Sequence, residues 1–154
     1  MYTPYIMMRS PLSFPILSTL LVSLALTCTS VWAFAQEQAR VHVDVIIASD
    51  DGEGIDDALE PHAKTLQEQF PQFSHFTLQH SDDIALQEGQ SQEIDLPREE
   101  NATITLIEVD GPHYTLHLKV PGGQTTIKSR AKGKVFIGGP KALNGTLLLL
   151  LEVK

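Results

Sequence analysis

Residues Leu147–Leu151 are five consecutive leucines inside the run Thr146–Val153. Successive side chains of a strand point to opposite faces, so a strand made from this run presents leucine to both sides and is buried on both. It belongs in the middle of a core; the other use for such a strand is to offer one face to a partner.

The chain around it is punctuated for strands. From Ser74 onward, short apolar stretches recur every 8 to 12 residues between Gly, Pro and Asn turns. Phe76 and Leu78 mark one strand, Ile84 and Leu86 a second, and Ile94 and Leu96 a third, after the turn Glu88-Gly89-Gln90. Pro97–Asn101 leads to Thr103–Val109, Asp110-Gly111-Pro112 to His113–Val120, and Pro121-Gly122-Gly123 to Gln124–Ser129. Lys132-Gly133-Lys134 then leads to Val135–Ile137 as a hairpin. This spacing predicts a sandwich or a barrel-like sheet. Pairs such as Asp82/Asp83 and Glu99/Glu100 fall at the expected turns and read as solubilising.

Earlier, Arg40–Ser49 alternates Val41, Val43, Val45 and Ile47 with His42, Asp44, Ile46 and Ala48. That is a period-2 strand, apolar enough at its end for burial on both faces. Ile55, Leu59, Ala63, Leu66 and Phe70 recur at helical spacing. Asp56 or Asp57 can cap the first turn, Pro61 is tolerated only there, and Pro71 ends it, so regular helix is predicted over about 59–70. The class is therefore α+β: a small, mostly antiparallel sandwich or barrel-like sheet with one early helix after the first strand.

Met1–Ala35 reads as a secretory signal: Arg9, an apolar run Ile16–Leu26, and Ala33-Phe34-Ala35 as the cleavage signature. The apolar run is short for a membrane span. Export to the periplasm or the exterior is expected, with residues 36–154 as one domain and no transmembrane span after cleavage. Lipidation at Cys28 is disfavoured because Ala25 stands where such signals place Leu. Cys28 is the only cysteine, so the exported part has neither a disulfide nor a cysteine nucleophile.

Net charge is −8, which excludes nucleic acid as the main partner. Its distribution is uneven. Residues 36–118 hold 18 acidic and 3 basic side chains, whereas 119–154 hold 7 basic and 1 acidic. The basic hairpin Lys128, Arg130, Lys132 and Lys134 is the candidate protein-binding site, suited to another envelope protein or an acidic surface. Its simpler use is to pair with acidic earlier strands.

Asp50, Asp51, Glu53, Asp56 and Asp57 are the candidate cation site, with calcium the cofactor it would suit. The EF-hand order does not fit, since Ile55 or a glycine falls where oxygen ligands belong. A helix-capping loop explains the same residues. His113 and His117 sit about 13 Å apart along a strand, too far to share one zinc. His42 and Asp44 are closer, about 7 Å. No G-x-S-x-G, H-E-x-x-H or phosphate-loop signature occurs, so no catalytic residue is assigned.

The stretch VIIASDDGEGIDD (Val45–Asp57) with VFIGGPKALNGTLLLLLEV (Val135–Val153) resembles a group of small exported proteins of Gram-negative bacteria. That resemblance implies export and brings no activity with it. Gly123-Gln124-Thr125-Thr126 and Val135–Gly139 are similar to turns of outer-membrane secretins, which implies work near an envelope secretion machine. The expectation is a non-enzymatic envelope protein that binds another protein. The alternatives are a cation- or small-ligand-binding periplasmic domain, or a small hydrolase.

Overall fold

In the computed structural model, the described residues are 38–154. The expected export segment and Cys28 lie outside them. The elements run β1 (Gln38–Ser49), β2 (Gly54–Ile55), a 3-10 segment Asp57–His62, α1 (Ala63–Gln69), β3 (His75–Gln87), β4 (Ser91–Leu96), β5 (Glu100–Asp110), β6 (His113–Val120), β7 (Gly123–Arg130), β8 (Lys134–Ala142) and β9 (Gly145–Val153). Five strands form one sheet in the order β2-β3-β1-β9-β8, and four form the other, β4-β5-β6-β7. Every pairing is antiparallel except the short β2–β3 contact. The fold is α+β as predicted, and of the two architectures the turn spacing left open, sandwich or barrel-like sheet, it is the sandwich.

From β3 to β9 the chain is a meander that changes sheet twice, after β3 and after β7, and β9 returns to pair with β1. The leucine run sits between β1 and β8, and its alternation supplies two cores. Leu147, Leu149 and Leu151 join Val41, Val43, Val45, Ile104, Leu106, Leu116 and Leu118 between the sheets. Leu148 and Leu150 join Ile46, Ala48, Leu59, Leu66 and Phe76 beneath the helix.

Three local expectations are corrected. Phe76–Leu78 and Ile84–Leu86 belong to one strand, because His75–Gln87 pairs along the whole of β1. The register shifts between Val45 and Ile46, leaving Gln79 as an extra residue. A one-residue insertion reverses the faces of a strand. Phe76 and Leu78 therefore face the helix while Ile84 and Leu86 face the other sheet, although all four share one sequence parity. Asp82 and Asp83 accordingly lie within a strand, not at a turn. Next, regular α-helix begins only at Ala63. Pro61, which has no N–H to donate, sits in a 3-10 segment that precedes it. Last, Lys128–Lys134 is a crossover between sheets, since β7 and β8 lie in different ones. The Ala131 N–H bonds to Pro112 O and the Val153 N–H to Gly133 O, fixing that corner.

No helix among the described residues is long and apolar enough to cross a membrane.

The turn into β9 is packed tightly. A Cβ on Gly145 would strike the Ala48 carbonyl and the Ile47 side chain. Gly145→Ala should cost about 1–3 kcal/mol in chemical denaturation. A chain cut before Thr146 loses the partner of β1 and should show no cooperative melting; a cooperative transition in that fragment would contradict the role given to β9.

Candidate functional site

The acidic loop is held by two main-chain bonds and one from the Ser74 hydroxyl. Gly54 N–H donates to Ser74 O at 3.1 Å, Asp56 N–H to Phe76 O at 3.0 Å, and Ser74 Oγ to Gly52 O at 2.6 Å. Gly52 (φ +106°) and Gly54 (φ +125°) take left-handed conformations that glycine adopts without strain. Asp56 stands at the start of the 3-10 segment, but its carboxylate accepts from the Leu78 N–H of β3 at 2.8 Å rather than from the helix. It ties the loop to the sheet. Asp50, Asp51, Glu53 and Asp57 stay exposed. Among the described residues, no three metal-ligating side chains converge on a point.

The four residues of the basic segment do not form one patch. Lys128 and Arg130 are exposed on the outer face of β7, because Ile127 and Ser129 turn inward. Lys132 occupies the corner with φ +62°. Lys134 lies in the other sheet, 3.5 Å from Glu152 Oε2 and 3.5 Å from His62 Nδ1. The register shows how charge is distributed over the outer face of the four-stranded sheet. Rows run Asp110–His113–Arg130, Glu108–Thr115–Lys128 and Glu93–Thr103–Lys119. Carboxylates occupy β4 and β5; cations occupy β6 and β7. Arg130 Nε donates to His113 Nε2 at 3.2 Å. Among the described residues, no ion pair joins Lys128 or Arg130 to a carboxylate.

Among the described residues β7 is also a free edge: it pairs only with β6, over its full eight residues and without a bulge. Pro121-Gly122, with Gly122 at φ +83°, is a two-residue turn that closes the Val120–Gly123 pair by a hydrogen bond. Antiparallel ladders alternate, so Gly123, Thr125, Ile127 and Ser129 bond to β6. Gln124, Thr126 and Lys128 turn their N–H and C=O groups outward; Arg130 turns its N–H outward, while its C=O accepts the Gly133 N–H at 2.8 Å.

A second polar cluster lies where α1 stops covering the five-stranded sheet. His42 Nδ1 is 3.0 Å from Asp83 Oδ1, and His42 Nε2 is 3.1 Å from Asp44 Oδ1. Ser81 Oγ donates to Asp44 Oδ1 at 2.7 Å, and Lys154 Nζ donates to Asp83. Asp44 is only 5% exposed, so these partners are what make its burial tolerable. Asp83, His42, Glu152 and Lys134 form one cross-strand row over β3, β1, β9 and β8. The closeness of His42 to Asp44 was readable from their i, i+2 spacing. Ser81, Asp83 and Lys154 were missed, because only the strand register brings them alongside. Ser81 lies 3.5 Å from His42 Nε2 but spends its proton on Asp44, so the group is a charge network rather than an assembled nucleophile.

Comparisons with protein-family models, curated proteins and solved structures found no match.

Two groups titrate away from their usual ranges. Hydrogen bonds from Lys154 and then His42 hold the Asp83 carboxyl below its usual 3.8. Its contribution to stability is present above 3.8 and lost as pH falls through the lowered value. Burial, and then the Lys134 charge, hold His62 below 6.5, while Asp44 and Glu152 oppose them. The unfolded chain then binds the His62 proton more readily, so stability falls as pH drops below 6.5. His62→Gln should flatten that part of the thermal-melting profile and Asp83→Asn the more acidic part. A His62→Gln profile identical to that of the parent protein would contradict the assignment.

Proposed function

We propose that this chain is an exported, non-enzymatic envelope protein that binds another protein by strand addition at β7. The observation that carries this reading is a regular eight-residue edge, closed only at the Arg130 carbonyl by the Gly133 N–H, whose outward main-chain groups include those of Lys128 and the Arg130 N–H. Edge strands that must stay solitary are commonly kept short, bulged, interrupted by proline or charged; of these features β7 has only the charges of Lys128 and Arg130, which repel a second basic strand and attract an acidic one. An extended segment laid along it gains main-chain hydrogen bonds from the edge and specificity from the side chains. With both cations free of carboxylate partners among the described residues, the segment that fits is acidic. The export segment at Met1–Ala35 and the resemblance to small exported proteins support the envelope setting.

The test is capture from a periplasmic extract, followed by hydrogen exchange on the complex. The K128E/R130E variant should capture its partner at least about tenfold less well, a loss of about 1.4 kcal/mol. Lys141→Glu, on β8, should capture it normally. Binding should slow exchange at the Gln124, Thr126, Lys128 and Arg130 amides. Undiminished capture by the K128E/R130E variant would refute the reading.

A further inference from the structure

The four-stranded sheet has two free edges, and they complement each other. We propose that the segment received by β7 is the β4 edge of a second copy of this chain, so that the protein assembles head to tail through a continuous sheet. This rests on the reading that β7 receives a strand, and it names that strand.

Strand direction permits the contact. β4, β5, β6 and β7 alternate in direction, so β7 of one copy and β4 of the next are antiparallel when the copies are related by a simple shift. The hydrogen-bond phase permits it too. Leu106 N–H donates to Gln90 O at 3.0 Å, so Gln90 and, by alternation, Gln92, Ile94 and Leu96 turn their main chain toward β5. Ser91, Glu93 and Asp95 face outward, as Thr126, Lys128 and the Arg130 N–H do on β7. One register pairs Thr126 with Asp95 and Lys128 with Glu93 through both main-chain groups and sets Ser91 opposite Arg130, whose N–H alone is offered because its C=O holds the Gly133 N–H; it runs the length of β4.

The side chains agree with that register. Lys128 stands opposite Glu93 and diagonal to Asp95, and Arg130 is diagonal to Glu93, all on the outer face. On the inner face, half-buried Ile127 meets Ile94. Among the described residues, no strand pairs with either edge. The seam beside β4 opens into a cleft of about 220 Å³ lined by His80, Asp95 and Leu96. The seam beside β7 opens into one of about 290 Å³ lined by Val120, Gly123 and Gly139. A heterologous contact of this kind extends into a filament or closes into a ring. It also accounts for the placing of acidic residues on one edge strand and basic ones on the other.

Sedimentation over a concentration series tests this on the exported protein, with circular dichroism confirming that each variant is folded. The parent should associate with rising concentration, and less so in high salt. K128E/R130E and E93K/D95K should each sediment as a monomer. Mixing the two should restore association, and so should one chain carrying all four reversals. A parent that stays monomeric, or variants that associate as the parent does, would overturn the proposal. Association sensitive to K128E/R130E but not to E93K/D95K would overturn it in favour of paired β7 edges. A monomeric parent whose periplasmic capture still depends on Lys128 and Arg130 would sink this inference alone; loss of that dependence would sink the strand-addition reading as well.

Discussion

The antiparallel pairing of β1 with β9, from Val41–Val153 to Ala48–Thr146, is the contact on which the rest of the structure depends. It joins the first and last described strands, and its loop-closure entropy must be recovered by burial. The leucine run supplies that burial in both directions. Each fully buried leucine contributes about 1.5–3 kcal/mol relative to exposure, and the five divide between the sheet–sheet core and the helix-covered core. A strand with one polar face could close the meander but could not also anchor α1.

Closure at one place leaves openings at two others. The sheets exchange chain at the corners after β3 and after β7, and no ladder seals either seam. The helix is short, so it covers only the half of its sheet where Ile46, Ala48, Leu148 and Leu150 emerge. Beyond it the same strands present His42, Asp44, Glu152 and Lys134, and the uncovered half is held by hydrogen bonds and charge. Both the polar cluster and the free β7 edge therefore follow from how far the two cores extend.

Much of this was legible in residue order. Turn residues located the strands from β4 onward, the leucines announced a strand buried on both faces, and the division of charge between residues 36–118 and 119–154 anticipated the acid-to-base gradient across the four-stranded sheet. What stayed hidden depended on register. Nothing in HFTLQHSDDIALQ marks Gln79 as an extra residue, yet that residue sends Phe76 and Leu86 to opposite cores. The Lys132-Gly133 turn looks like a hairpin turn, and only the partners of β7 and β8 show it to be a change of sheet. Asp56 carries the signature of a helix cap, but Leu78, 22 residues away in sequence, supplies the N–H that it accepts. Ser81 and Asp83 became neighbours of His42 because one strand runs the full length of another.

The described chain is locked where its first and last strands meet and open along β7. Residue-resolved native-state hydrogen exchange on the dilute, unassociated protein tests this most directly. The slowest amides should lie in β1 and β9 and exchange only through global unfolding, while Gln124, Thr126, Lys128 and Arg130 should exchange quickly beside protected Thr125 and Ile127. Rapid local exchange in β9, or uniform protection along β7, would contradict it.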